Sequence, residues 1–359
     1  MSKARKKIFH LVCSNGLGHF KRTNELWFHL RNEIEAEVII ACEKWQFEHF
    51  RSHLKDELVS DSNSICFNFL ELGGTLKWQE RPTQYDWNAY KNRRIVLKNI
   101  ISKLNLDLVI SDNLTSVVDL HPNVLLIGSF LWHDVLENIE EKPEGLKAII
   151  SFEKELLRRI CPTSVSIQEI TMPALKKWTN NKGVSWFIKR TYHRPSKLIN
   201  SKEKLNVLIS TGLSDAGTAG VIDLLYHLNS QLNLRFFSGK ATAKKVSKLD
   251  NLFIHPFHFS ASEFKQIDLM IARPGIGIIT EAIEFQIPII AIDNGNNKEM
   301  NFNARQIAAL GIGWDAINQS FDIGWFFHSY DSKIKQLKQR PTDGFIQIKE
   351  ILQKRLNNA

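Results

Sequence analysis

Short apolar runs of strand length alternate with helical segments along the whole chain. In the first half, such runs cover 7–13, 37–42, 65–70, 106–111, 124–127 and 161–167. In the second half, they cover 205–210, 232–237, 252–255, 269–272 and 287–292. Runs this short and this apolar are typical of strands buried on both faces, and helices between them indicate parallel strand–helix–strand units. The pattern therefore predicts an α/β fold.

The length and the spacing of these runs predict two domains. A chain of 359 residues is long for one hydrophobic core and suits two α/β domains. We therefore expect one doubly wound, Rossmann-like domain over 1–175 and a second over 205–335. Few apolar runs occur between them, so 176–204 is expected to be a connector. The pattern at 345–356 predicts a terminal helix within 336–359.

The predicted connector is strongly basic. Between Lys176 and Lys204 there are nine Lys or Arg residues and one acid, with aromatic residues among them, and the whole chain has a net charge of +9. Two interpretations are open: a peripheral contact with a membrane or another polyanion, and a solvated linker. No RNA-recognition or helix-turn-helix motif accompanies the charge, so nucleic acid is not expected as a partner.

The apolar runs and the cysteines indicate the cellular compartment of the protein. No apolar run is long enough to cross a bilayer, and the run at 8–13 is too short for a signal peptide. Four scattered cysteines, none with zinc-binding spacing, predict buried, reduced thiols: Cys13, Cys42, Cys66 and Cys161. We expect a cytoplasmic protein, and membrane contact through the connector would place it at the inner face of the membrane.

A glycine turn in the second half predicts an anion site. The strand at 269–272 is followed by the turn Arg273–Gly275 and then by a helix. The helix therefore starts in nearly bare backbone, whose free N–H groups and positive dipole end suit a phosphate. Glu281, one to two turns into the helix, can accept both hydroxyls of a ribose. The spacing favours a nucleotide-diphosphate site; an ordinary crossover with a solvated glutamate is the other interpretation.

A second glycine turn follows the first strand of the chain. Residues 14–18 separate that strand from a helix that begins near His19, and Asp112 ends the strand at 106–111. The carboxyl ends of parallel strands meet at one edge of the sheet, where such sheets bind ligands. A carboxylate there can hold an imidazole in one tautomer. His19 and Asp112 are therefore a candidate pair, while His133 is either a further imidazole of the site or a packing residue.

The second-half turn resembles a known signature. The motif Arg273-x-Gly275-x-Gly277-x-x-x-Glu281, followed by Pro288, Glu299 and Asn303-Ala304, resembles the C-terminal signature of GT-B glycosyltransferases. The likeness is greatest to the N-acetylglucosaminyltransferases that form lipid II. The sequence departs from many relatives at Ile278, where they carry a threonine whose hydroxyl contacts phosphate.

The first-half turn resembles a loop of the same family. Gly16-x-Gly18-His19-x-x-Arg22 is similar to the N-terminal loop of several GT-B groups. These groups include glycosyltransferases and the nucleotide-sugar hydrolases of pseudaminic acid synthesis. In such relatives this loop faces the cleft, and its histidine often lies at the reacting centre.

The resemblance implies a GT-B architecture, with two Rossmann-like domains facing across a cleft and the helix within 336–359 crossing back onto the first domain. It implies that the helix start holds the donor diphosphate, that Glu281 holds the ribose, and that Glu299 and Asn303 lie towards the sugar. The implied donor-binding residues are Gly18, Thr211, Gly212, Ser214, Phe257, Arg273, Gly275, Gly277, Ile278, Glu281, Glu299 and Asn303. The acceptor-side candidates are Arg22, Trp132 and His133.

The resemblance also implies an activity. The expected enzyme is an inverting glycosyltransferase that needs neither a cofactor nor a metal. The sequence has no Asp-x-Asp metal motif, which fits metal independence. It would move a sugar from a nucleotide-diphosphate sugar, with a UDP-sugar favoured, to a glycan or lipid-linked hydroxyl. His19, oriented by Asp112, would be the general base. A nucleotide-sugar hydrolase and a non-catalytic nucleotide- or partner-binding protein of the same fold are the alternatives.

Overall fold

The chain forms two compact α/β units. The computed structural model describes residues 5–15, 17–48, 65–71, 85–188, 192–194, 204–212, 218–230, 232–246, 253–293, 296–320 and 323–358. One unit comprises Met1–Phe187 together with Asp343–Ala359, and the other comprises Ile188–Thr342. Each unit has its own parallel sheet with helices around it, so the predicted α/β class is confirmed.

The sheet of the first unit has seven strands in the order β3-β2-β1-β4-β5-β6-β7, and all neighbours are parallel. The strands are β1 Lys6–Leu11, β2 Ala36–Cys42, β3 Ile65–Glu71, β4 Leu108–Asp112, β5 Val124–Ile127, β6 Thr163–Ile167 and β7 Asn180–Val184. The order reverses between β1 and β4. Their carboxyl ends therefore lie side by side, with Leu11 paired to Ser111.

Helices described in the first unit ahead of the second include α1 Leu17–Leu30, α2 Trp87–Lys103, α3 Trp132–Leu136, α4 Glu144–Ile160 and α5 Pro173–Trp178. The start of α2 is set by Asp86, whose carboxylate accepts hydrogen bonds from the N–H groups of Asn88 and Ala89. Helix α1 packs its apolar side, including Phe20 and Trp27, into the core beneath β1 and β2. The first turn of α1 follows β1 and therefore lies at the carboxyl end of the sheet.

The first unit extends further along the chain than the sequence predicts. Helix α5 and strand β7 belong to it, so the connector predicted at 176–204 begins too early. The reason is that β7 is a polar edge strand with a single neighbour, and it has no apolar run to reveal it. Its Asn181 instead donates hydrogen bonds to the hydroxyls of Ser164 and Ser166 on β6, each at 2.9 Å.

The sheet of the second unit has six parallel strands in the order β10-β9-β8-β11-β12-β13. The strands are β8 Leu205–Ser210, β9 Leu234–Ser238, β10 Ile254–Pro256, β11 Leu269–Ala272, β12 Ile289–Ala291 and β13 Gly313–Asp315. Its order reverses between β8 and β11. The turn that begins at Arg273 therefore leaves the sheet at the position where parallel sheets bind ligands.

The helices of this unit are α6 Thr218–Asn229, α7 Lys240–Val246, α8 Ala261–Phe264, α9 Ile276–Glu284, α10 Lys298–Ala309 and α11 Ile323–Lys338. The sequence pattern predicts a helix only from Ala304 to Leu310, and α10 begins six residues earlier, at Lys298. The earlier start is explained by Asn297, whose side chain accepts a hydrogen bond from the N–H of Met300 at 3.1 Å. Glu299 and Asn303 consequently lie on this helix.

The chain ends in helix α12, Gly344–Asn357, which packs on the first unit. Ile348, Leu352 and Leu356 are buried in the core of that unit. Arg355 adds a hydrogen bond to the side chain of Asn123 at 3.1 Å. The C-terminal helix α12 thus completes the core of the first unit.

The burial of the cysteines and the apolar length of the helices can be compared with the described residues. Cys13 and Cys42 are buried, but Cys161 is exposed, so the prediction of buried thiols is wrong there. Cys161 ends helix α4 with a left-handed backbone, which turns the chain at the protein surface. Among the described helices, none has the length and apolar character needed to cross a membrane.

Candidate active site

His19 and Asp112 form a hydrogen-bonded pair in the first unit. Asp112 is the last residue of β4 and His19 lies in the first turn of α1. His19 Nδ1 lies 2.9 Å from Asp112 Oδ2, and the carboxylate can only accept, so Nδ1 carries the proton. The lone pair of the neutral imidazole is then on Nε2. The His19 side chain keeps 13% of its surface exposed, whereas that of Asp112 keeps 1%.

Arg22 lies one turn further along α1 and binds the same carboxylate. Its Nη2 donates to Asp112 Oδ1 at 2.5 Å and lies 3.1 Å from His19 Nδ1. Burial raises the pKa of Asp112, but the charge of Arg22 and the hydrogen bond from His19 outweigh it and lower that pKa to about 2. Asp112 is therefore ionised at neutral pH. The sequence suggested Arg22 as an acceptor-side residue; the structure places its guanidinium on Asp112.

A second histidine, which the sequence analysis did not single out, lies next to this group. His10 is buried on β1, and its Nδ1 accepts a hydrogen bond from Trp27 Nε1 at 2.9 Å. Its Nε2 lies 3.5 Å from the hydroxyl of Thr23. Burial lowers the pKa of His10 to about 4. The charge of Asp112 raises that pKa by a smaller amount, and the charge of Arg22 lowers it. The signal for His10 in the sequence is a polar residue inside the otherwise apolar run at 8–13.

Trp132 and His133 were acceptor-side candidates, and the structure buries both side chains. They lie on the short helix α3. His133 Nδ1 is 3.7 Å from Glu153 Oε2 on α4, and Tyr90 donates to the other oxygen of Glu153 at 3.0 Å. Burial between helices supports the packing interpretation for His133.

In the second unit, the turn after β11 presents open backbone. Gly275 precedes α9 without a side-chain cap, so the first N–H groups of the helix have no capping acceptor. A Cβ built on Gly275 or on Gly277 would meet no atom within 4 Å. Asn303 donates from Nδ2 to the carbonyl of Pro274 at 2.9 Å and is buried. Asn303 therefore supports the turn.

Other predicted donor-site residues also lie at this edge of the sheet. Arg273 donates from Nε to Asp293 Oδ1 at 3.2 Å, and the Asp293 side chain is fully buried. Thr211, at the end of β8, is buried with its hydroxyl 3.2 Å from that of Thr242. Gly212 has a left-handed backbone with φ of 72° and open space at its Cβ position.

The remaining predicted residues differ in exposure. Glu281 and Ile278 on α9 and Glu299 on α10 are half-buried. Phe257 is buried, with its ring edge-on to that of Phe264, so its side chain belongs to the core. Ser214 lies outside the described residues. Within the described ranges, no group of three or more His, Cys, Asp or Glu side chains is arranged to hold a metal ion.

Comparison with protein families gives one match. Residues 198–326 match the model of the glycosyltransferase family 28 C-terminal domain. The matched segment contains the turn at Gly275, Glu281 and Asn303. A comparison with curated protein sequences found no match.

Solved structures resemble the chain over almost its whole length. The glycotransferase of kitacinnamycin has a TM-score of 0.63 and 11% identity, covering 98% of this chain and 100% of its own. The calicheamicin glycosyltransferase CalG4 has a TM-score of 0.58 and 10% identity, covering 99% of both chains. MurG of Acinetobacter baumannii has a TM-score of 0.57 and 16% identity, covering 97% of this chain and 99% of its own. These likenesses confirm the predicted GT-B fold.

Proposed function

Because the chain has the GT-B fold of glycosyltransferases and contains a family 28 C-terminal domain, we propose that it is an inverting, metal-independent glycosyltransferase. Its donor would be a nucleotide-diphosphate sugar and its acceptor a hydroxyl group. The observation that carries the proposal is the His19–Asp112 pair, in which Asp112 binds Nδ1 and leaves Nε2 to accept a proton at a ligand-binding edge of the first sheet.

In the proposed reaction, His19 Nε2 takes the proton of the acceptor hydroxyl. The oxygen attacks the anomeric carbon of the donor sugar as its bond to the diphosphate breaks, and the bonding pair leaves with the diphosphate. A single displacement inverts the configuration at that carbon. Asp112 stabilises the imidazolium that forms, because its carboxylate stays ionised beside Nδ1. Arg22 holds that carboxylate in place and in its charged form.

The donor would bind in the second unit. The free N–H groups at the start of α9 and the positive end of its dipole would stabilise the leaving diphosphate, assisted by Arg273 and the open backbone at Gly212. This anion site would take the place of a metal ion. Glu281 would hold the ribose of a UDP-sugar, and Glu299 would lie towards the sugar. Asn303 would act by supporting the turn beneath the diphosphate.

The acceptor would be a glycan or a lipid-linked saccharide in cell-surface polysaccharide synthesis. Support comes from charge: the net charge of +9 favours anionic surfaces and phosphorylated substrates. Within the basic stretch, Lys176 and Lys177 are exposed at the end of α5 beside Trp178. We assign to this stretch a peripheral contact with anionic lipid at the cytoplasmic face of the membrane.

A nucleotide-sugar hydrolase is the second candidate. The same His19–Asp112 pair would activate water as readily as a sugar hydroxyl. The motif Gly18-His19-x-x-Arg22 resembles both groups of enzymes and does not separate them. The two activities differ in product. Release of free sugar in the absence of an acceptor would identify the hydrolase, and dependence on an added acceptor would identify the transferase.

A thermal-shift screen with UDP, CDP, GDP, dTDP and ADP, alone and as sugar conjugates, tests the proposal. A ligand that binds only the folded state raises the melting temperature by mass action. We expect one base to give a clear shift that Glu281→Ala reduces, and the matching sugar conjugate to be turned over. If no nucleotide shifts the protein, the donor site is refuted, and a non-catalytic partner-binding protein becomes the better account.

A further inference from the structure

His10 lies on the same face of the first sheet as Asp112. In the register of the sheet, His10 on β1 is paired with Ile110 on β4, two residues before Asp112. Because side chains alternate between the two faces of a strand, His10, Ile110 and Asp112 share one face. Helix α1 packs on this face, since Ile8, Ile110 and Trp27 belong to one buried core. Helix α1 therefore covers both His10 and Asp112.

Helix α1 has two polar attachments to this face. In its first turn, His19 is hydrogen-bonded to Asp112 on β4. Further along, Trp27 donates from Nε1 to His10 Nδ1 at 2.9 Å, and Thr23 Oγ1 lies 3.5 Å from His10 Nε2. His19, Thr23 and Trp27 follow one another at intervals of four residues, so they lie along one side of the helix. One side of α1 is thus bound to β4 at its start and to β1 further along.

The hydrogen bond from Trp27 fixes the tautomer of His10. An indole nitrogen can only donate, so His10 Nδ1 must carry the lone pair and Nε2 the proton. Nε2 can then donate to the hydroxyl of Thr23. An imidazolium would have a proton on Nδ1 and could not accept from Trp27. Burial, which lowers the pKa of His10 to about 4, keeps the ring neutral at neutral pH. Neutral His10 therefore binds α1 at both of its ring nitrogens.

A hydrogen-bonded pair inside a core has a consequence that apolar side chains would not have. Apolar contacts have no preferred direction, so a helix held by them alone can slide or rotate slightly on the sheet. A hydrogen bond fixes a distance and an angle, and a satisfied buried network specifies one arrangement. Trp27 follows His19 by eight residues, about 12 Å along the helix axis. Its bond to His10 therefore fixes α1 at a second point and sets the direction of its first turn.

We propose that His10 is a positioning residue for His19: through Trp27 and Thr23 it fixes α1 on the sheet so that His19 Nδ1 meets the carboxylate of Asp112. This inference rests on the proposed function, in which His19 takes the proton of the acceptor. His10 is buried under α1 and acts only through the helix. A displacement of a catalytic group by about 1 Å can cost about 10²-fold in rate. The loss should appear in kcat and leave the KM of the donor unchanged.

Three variants and one control separate the hydrogen bond from the packing. His10→Phe fills the space with a ring and removes the acceptor, whereas His10→Asn places an amide oxygen near the position of Nδ1 and keeps it. Trp27→Phe keeps an aromatic ring in the core and removes only the donor. Tyr330→Phe is the matched control, because it also removes one buried hydrogen bond, from Tyr330 to the carbonyl of Asp268 at 2.6 Å in the second unit.

Turnover and proton NMR are measured on each variant, with urea unfolding to show that it is folded. A carboxylate partner moves the Nδ1–H signal of His19 far downfield, and its absence in His19→Gln identifies it. We expect His10→Phe and Trp27→Phe to lower kcat about 10- to 100-fold at unchanged donor KM and to shift or remove this signal. His10→Asn and Tyr330→Phe should keep both the rate and the signal.

Other results contradict the inference in distinguishable ways. Unchanged kcat and an unchanged His19 signal in folded His10→Phe would overturn the positioning role and leave His19 as the base. If His10→Phe does not fold, the same two measurements on Trp27→Phe decide. A loss in His10→Asn as large as in His10→Phe, or any loss in Tyr330→Phe, would also overturn it.

The NMR signal keeps this inference separate from the proposed function. A lost His19 signal with unchanged turnover would show that His10 positions the pair but that His19 is not the base, which refutes the proposed reaction instead. If the unaltered protein turns over no donor, the proposed function fails. The His19 signal in His10→Phe and Trp27→Phe then still decides whether His10 positions His19.

Discussion

His19 Nδ1 and Asp112 Oδ2 lie 2.9 Å apart although the two residues are 93 positions apart in the sequence. The sheet order explains their meeting. Strands β1 and β4 are neighbours at the point where the order reverses, so the helix that follows β1 starts beside the end of β4. Arg22 then binds the second oxygen of the carboxylate from the same helix. Three residues thus form one charged, hydrogen-bonded unit.

Asp112→Asn should lower turnover by about 10²- to 10⁴-fold. The amide fills the same space but cannot hold Nδ1–H of His19 as a carboxylate does, nor stabilise the imidazolium. Donor affinity should not change, because Asp112 is not among the residues assigned to the donor. Steady-state turnover and nucleotide titration measure the two effects. Asp119→Asn, which alters a carboxylate bound to Arg94 away from His19, is the control and should leave both unchanged.

His10 should make stability depend on pH between about 4 and 6.5. Burial lowers the pKa of His10 from 6.5 to about 4, so the unfolded chain takes up a proton at a higher pH than the folded protein does. Stability is therefore lost as the pH falls through this range, by about 3 kcal/mol in all. His10→Gln should remove that part of the dependence. Urea unfolding measured across this pH range checks it, and equal pH dependence in both proteins would contradict it.

Asp268→Ala should destabilise the second unit by about 3–5 kcal/mol. Asp268 pairs with the buried Arg194 at 2.9 Å and also accepts from the N–H of Asn206. Its removal leaves a buried guanidinium without its carboxylate. Chemical denaturation measures the change. Glu144→Ala is the matched control, because Glu144 is 88% exposed in its pair with Lys147 and should cost less than about 1 kcal/mol.

Leu352→Ala in the terminal helix should destabilise the first unit by about 2–5 kcal/mol. Leu352 is fully buried in the core of that unit together with residues of β1 and β2. On the same helix, Ile346 is 57% exposed, and Ile346→Ala should change stability by no more than about 0.5 kcal/mol. Thermal or urea unfolding compares the two. Equal effects would mean that the helix is not part of the core.

Much of the fold could be predicted from the sequence because buried parallel strands need continuous apolar runs. Val207–Ile209 and Leu269–Ala272, for example, are buried and were visible as such runs. Strand β7 was missed for the converse reason: an edge strand needs no apolar run, and Asn181 is held by hydroxyl groups of β6. The early start of α10 was missed because its signal is one capping side chain, Asn297.

The sequence by itself determined the α/β class, the two glycine turns and the residue types at each turn, because strand patterning and helix starts are local. Only the tertiary structure decided which polar side chains share a partner. Arg22 could have faced a substrate, and it binds Asp112; Phe257 could have lined a site, and it lies in the core beside the exposed Phe259. Such choices depend on burial and on distances between distant segments, which no local pattern records.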